Sequence, residues 1–122
     1  MKVRVPLRED RVRPVTRIIG LNALIDTGAV KSVCNTSTEV FEILFDATNK
    51  TRSSITGFGG KCDGYEYIVK KLDVGGIIFE DIPFFVPDEH NSEEVLVLAG
   101  TIFSSYAYEI DMVKRLFTIY AE

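Results

Sequence analysis

The sequence is poor in metal ligands: two cysteines, Cys34 and Cys62, and a single histidine, His90, in 122 residues. A zinc site needs about four such ligands at defined spacing, so no metal and no cofactor is expected. Positive charge is also scarce, with 14 basic against 18 acidic residues and a net charge of −4. That balance lacks the electrostatic footprint of a nucleic-acid binder. The basic residues do gather early, at Lys2, Arg4, Arg8, Arg11, Arg13 and Arg17, but their spacing suits the solvent face of strands better than a nucleic-acid arm. No apolar run approaches the roughly 20 residues of a membrane span. The opening Met1-Lys2-Val3-Arg4 lacks the apolar run of a secretory signal. The expectation is therefore a cytoplasmic protein with no membrane partner and no disulfide.

What is present fits one globular domain over residues 1–122, with 46% apolar and 26% charged residues. Val3, Val5 and Leu7 alternate with Arg4 and Pro6 and predict a first strand. A polar turn, Arg8-Glu9-Asp10-Arg11, leads to an extended stretch from Val12 to Ile25, bent or at a sheet edge around Pro14. Thr36 and Glu39 have the spacing of a capping box. Val40, Phe41, Leu44 and Phe45 then recur at helical spacing, giving a short helix that ends near Phe45 or Ala47.

Strands return from Thr51. Gly57-Phe58-Gly59-Gly60, between strand-like flanks, predicts a hairpin tip with unusual backbone angles. No Lys-Ser or Lys-Thr pair follows it, which excludes a phosphate loop. Gly75-Gly76 marks a second tight turn, and Ile82-Pro83-Phe84-Phe85-Val86 reads as a buried strand. Pro87 to Glu94 reads as a polar surface loop in which His90 is merely solvated. Val95-Leu96-Val97-Leu98-Ala99, the most apolar strand, stops at Gly100. Ile102, Phe103, Tyr106 and Ala107 suit one face of a second short helix, and Arg115 to Tyr120 a closing strand. The fold class expected is mostly β with two short helices and no internal repeat.

One stretch carries chemistry. Ala23-Leu24-Ile25 and Ala29-Val30 would draw Asp26 into the core between them. A carboxylate there is costly unless donors or a charge-sharing group meet it. Asp, Thr and Gly are also ordinary turn residues, so the stretch alone leaves a plain turn open as well.

Taken in order, these segments resemble the retropepsin-like aspartic proteases, which include retroviral proteases and the protease domain of the DNA-damage-inducible ubiquitin-shuttle proteins. Ala23 to Ala29 is similar to the family's catalytic signature, and Ser32 with the helix after it falls where cellular members place a serine and a helix. Ile55-Thr56-Gly57-Phe58-Gly59-Gly60 sits where the family has its glycine-rich flap. Val97-Leu98-Ala99-Gly100 resembles the hydrophobic-glycine element beneath the catalytic loop, and Tyr108-Glu109-Ile110-Asp111 the closing hairpin. The match runs from about Val3 to Tyr120. Two residues depart from it: Ala99 replaces a larger aliphatic residue, and Phe58 replaces an isoleucine-rich flap tip.

The resemblance implies a retropepsin-like acid protease barrel and an aspartic endopeptidase with Asp26, Thr27 and Gly28 as catalytic residues. It implies substrate contacts from Ala29, Gly57, Phe58, Gly59 and Gly60 to a peptide in extended conformation. Only one Asp-Thr-Gly occurs in the chain. The second carboxylate would thus come from Asp26 of another copy, in a homodimer. Asp81, Asp88 and Asp111 are not preceded by an apolar strand and followed by Thr-Gly, and Asp111 is expected to anchor the final turn. Ala29 stands where pepsin-like enzymes usually have serine, and fewer donors to the dyad imply a pH optimum milder than that of gastric enzymes. The alternative is a catalytically silent dimerisation or peptide-binding module on the same fold.

Overall fold

Leu21–Asp26 and Leu96–Ala99 run side by side as parallel strands, with Asp26 opposite Ala99. Their apolar centres are buried on both faces: Ala23, Leu24, Ile25, Leu96, Leu98 and Ala99 are all in the core. The structure, a computed structural model, describes residues 1–57, 60–89 and 95–121. Its strands are β1 (Lys2–Pro6), β2 (Val15–Ile18), β3 (Leu21–Asp26), β4 (Ser32–Cys34), β5 (Thr51–Gly57), β6 (Gly60–Val74), β7 (Ile77–Pro87), β8 (Leu96–Ala99), β9 (Ala107–Asp111) and β10 (Leu116–Tyr120). One α-helix, α1, covers Thr38–Phe45. The mostly β fold class is as expected.

Two sheets form. The larger has the order β2-β3-β8-β4-β7-β6-β5, and the smaller β1-β10-β9. The alternation read from Val3 to Leu7 holds, with Val5 and Leu7 buried and Arg4 and Pro6 exposed, whereas Phe117, Thr118 and Ile119 of β10 are all buried. Asp111 does anchor the last turn, its Oδ1 accepting the N–H groups of Val113 at 3.0 Å and Lys114 at 2.9 Å.

Three local readings change. The stretch from Val12 to Ile25 is not continuous but a β2–β3 hairpin, in which Ile18 pairs with Leu21 and Ile19 and Gly20 turn at φ of 53° and 76°. Two consecutive positive φ angles make this a tight turn of the kind normally built on Asn-Gly, and the isoleucine conceals it. The helix is capped by Ser37, whose Oγ accepts the Val40 N–H at 3.2 Å, one residue later than the Thr36–Glu39 spacing suggests. The second helix is a single 3-10 turn, Gly100–Phe103, and the chain is extended again from Ala107. Of the polar loop read from Pro87 onward, Pro87 still belongs to β7 and residues 90–94 lie outside the described residues.

That 3-10 turn joins the sheets. Phe103 is fully buried, edge-on to Phe79 of β7 at 5.4 Å and to Phe117 of β10 at 5.0 Å. A second aromatic group, Phe41 against Tyr67 at 4.7 Å and Phe84 at 5.9 Å, seats α1 on β6 and β7. The end of β8 is thereby held from two sides, and so is whatever rests on it.

Candidate active site

The loop leaving β3 rests on the end of β8. Asp26 closes the strand, and the Gly28 N–H donates back to its Oδ1 at 3.2 Å while the Ala29 N–H donates to its carbonyl at 3.1 Å. The turn is then stitched to the segment below. The Gly100 N–H donates to the Ala29 carbonyl at 3.2 Å, and the Thr101 hydroxyl to the Val30 carbonyl at 3.0 Å. On the buried side, the Ala99 N–H donates to Ser32 Oγ at 3.0 Å. Without that hydroxyl an amide with no water to reach would be left unpaired, at a cost of about 1–3 kcal/mol. Ser32 therefore has a definite part, holding β8 at the level of the Asp26 loop.

Of the two glycines, Gly100 is the one whose missing side chain the geometry demands. A Cβ there would lie 2.4 Å from the Thr27 carbonyl oxygen and 3.0 Å from its Cα. A Cβ on Gly28 would meet only Asp26 Oδ1, at an ordinary 3.7 Å. Ala99, opposite Asp26 in the β3–β8 pair, is fully buried.

Within one chain the loop is unfinished. Asp26 is half-buried rather than enclosed, Thr27 and Gly28 are exposed, and Ala29 is half-buried. The apolar flanks do enter the core, but the turn they carry stays at the surface. Val30 is 76% exposed although it is a valine next to the core. Two of the three other aspartates weighed in the sequence are committed elsewhere: Asp88 is held by Arg52 in two bonds of 2.8 and 2.6 Å, and Asp111 is used in its turn, while Asp81 lies exposed on β7.

The hairpin β5–β6 pairs through to Gly57 opposite Gly60, with φ of 92° at Gly60. Phe58 and Gly59, both expected to touch substrate, lie outside the described residues. The lower part of the hairpin is fastened at two places. Arg52 of β5 reaches Asp88 at the end of β7, and Lys31, just past the Asp26 loop, pairs with Glu66 of β6. The second tie connects the hairpin directly to the loop, and sequence reading had no means of finding it because 35 residues separate its partners.

A family model described as "Aspartyl protease" matches residues 19–99. The chain belongs to the aspartyl protease family. The matched span of this aspartyl protease begins in the β2–β3 turn and ends at Ala99, so it contains the Asp26 loop, the hairpin and the strand beneath them. A solved retropepsin-like aspartic protease from Rickettsia conorii superimposes with a TM-score of 0.64, covering 98% of this chain and 89% of that one at 16% identity. The fold is therefore retropepsin-like. No curated protein sequence matches the chain.

Proposed function

We propose that this aspartyl protease is an endopeptidase whose active site forms between two copies of the chain. The observation that carries this reading is the unfinished Asp26 loop: a rigidly supported carboxylate near the surface that accepts the Gly28 N–H, in a chain whose sequence holds a single Asp-Thr-Gly. A two-fold axis through the loop would bring Asp26 of each copy together, since a two-fold interface apposes the same patch on both subunits. Thr27, exposed in the single chain, would then hydrogen-bond across the axis.

Two adjacent carboxylates share one proton and titrate as a pair. The ionised one takes a proton from a water, and the protonated one donates to the scissile carbonyl as the water attacks. The Gly28 N–H keeps the carboxylate in line for this exchange. The β5–β6 hairpin, which pairs as far as Gly57 and Gly60, would cover an extended peptide and offer it backbone partners, while Ala29 would line the floor.

The test is cleavage of an unstructured polypeptide between pH 4 and 7, with and without a pepstatin-type inhibitor, alongside light scattering. Asp26→Asn should abolish cleavage and leave the dimer and the fold unchanged. Equal cleavage by wild type and variant would remove Asp26 from the mechanism. Peptide binding by a dimer that never cleaves would identify a silent binding module instead.

A further inference from the structure

A cavity of about 240 Å³ opens beside the Asp26 loop. Its apolar wall is made by Val30, Ile82, Pro83 and Ile102, and Asp81 and Thr101 supply polar groups. The Thr101 hydroxyl is already used, tying Val30 to the segment below at 3.0 Å. Asp81 is exposed, and no hydrogen bond or ion pair engages its carboxylate among the described residues.

Asp81 also breaks the strand it belongs to. Val69 pairs with Ile82 and Lys71 with Glu80, but the position between them is left out of the ladder, with φ of 53° at Asp81. In a regular strand consecutive side chains point to opposite faces. Here Asp81, Ile82 and Pro83 line one cavity in succession, which the left-handed residue makes geometrically feasible. Asp is one of the few residues that adopts this conformation readily.

The electrostatics single out the same group. Asp81 is the charged residue among those lining the cavity. Lys31, adjacent to Val30, has its ammonium bound to Glu66. Lys70, across the ladder, forms no ion pair with Asp81 among the described residues. An unpaired carboxylate at the rim of an apolar recess suits a long side chain with an aliphatic stem and a cationic head.

The position fits a peptide on the loop. Four residues separate Asp26 from Val30, so their Cα atoms lie no more than about 14 Å apart. An extended peptide advances about 3.3 Å per residue, which places the cavity within about four residues of the bond held at Asp26.

We infer that the Asp81 cavity is a specificity pocket for an arginine or lysine side chain of the peptide substrate, the stem lying on Val30, Ile82 and Ile102 and the head on Asp81. The inference rests on the endopeptidase reading for its role, but the pocket itself is complete in one chain and can be tested apart from cleavage.

Two measurements do so. In the first, ¹⁵N-labelled protein is titrated with N-acetyl-arginine methylamide or its norleucine counterpart, and backbone amide shifts are followed. Arginine should move the signals of Val30, Ile82 and Ile102 saturably, and Asp81→Asn, which tolerates the same backbone, should weaken binding about fivefold, the effect of roughly 1 kcal/mol. In the second, a mixed peptide library is cleaved by wild type and Asp81→Asn. Wild type should favour Arg or Lys at one position near the scissile bond, the variant should lose that preference, and peptides without a basic residue should be cut equally by both. Equal shifts with norleucine, or an Asp81→Asn variant with unchanged binding, overturns the pocket. Cleavage with no basic preference overturns it too. Selective arginine binding without any cleavage supports the pocket and counts against the endopeptidase reading.

Discussion

The carbonyl oxygen of Thr27 sits 2.4 Å from where a Cβ of Gly100 would be, so the Asp26 loop lies directly on the backbone that follows β8. Backbone on both sides of this contact leaves nothing flexible to yield. The loop can keep its shape only while position 100 is glycine.

Gly100→Ala should accordingly lower stability by about 1–3 kcal/mol, the usual range for overpacking in a filled interior. It should also displace Thr27 and reduce cleavage well beyond what the stability loss explains. Urea denaturation together with rates measured on the folded fraction separates the two effects. Gly28→Ala, by contrast, meets only an ordinary contact within the chain and should leave monomer stability nearly unchanged.

Ile19 occupies the left-handed region at φ of 53° with 56% of its surface exposed. A β-branched residue is strained there, at roughly 1–2 kcal/mol, whereas asparagine adopts the conformation readily. Ile19→Asn should raise stability by about 0.5–1 kcal/mol after the small loss of apolar contact. For a chain of this size that corresponds to a rise of about 2–4 °C in Tm, readable by calorimetry.

Alkaline pH should destabilise the protein before it affects any acid-side chemistry. Burial pushes the Cys34 thiol up from 9.0 to about 12. Burial, and then the 2.6 Å hydrogen bond donated to Glu42 Oε2, also raises the Tyr67 phenol above its usual 10.0. Above about pH 9 the unfolded chain releases protons that the native state retains, so stability falls as pH rises. The Cys34 contribution is complete below pH 9 and is lost between there and about 12, at about 1.4 kcal/mol per pH unit for each group. Denaturant titrations at pH 8, 10 and 11 should show this slope, and Tyr67→Phe should remove the tyrosine's share.

In the proposed dimer, Ala29→Ser would add a hydroxyl beside the two Asp26 carboxylates. An added donor favours the ionised form. The acid limb of the pH–rate profile should therefore move to lower pH in the variant, with wild type peaking at milder pH than gastric enzymes. A wild-type rate that climbs steadily down to pH 2 would contradict this account of Ala29.

Much of this was legible in the chain because it depends on local chemistry. Alternation placed β1, the Gly-rich segments marked the ends of the β5–β6 and β6–β7 hairpins, and the apolar flanks of Asp26 marked a strand ending in an acidic turn. The Asp111 turn followed from residue type alone. Ile19 hid its hairpin because tertiary pairing of β2 with β3 overrides the residue's own preference, and Ile102, Phe103 and Ala107 mimicked one helical face although the first two lie in a 3-10 turn and the third begins β9.

What the sequence by itself determined is the Asp26 loop's composition, the family to which the chain belongs, and the presence of a single Asp-Thr-Gly motif. Tertiary structure alone decided which glycine is indispensable, that Ser32 braces Ala99, that Lys31 ties the loop to Glu66, and that Asp81 shares a cavity with Val30. Each of those rests on contacts between segments tens of residues apart. Spacing along the chain carries no information about them, because only the packing of β3, β4, β6, β7 and β8 brings the partners within reach.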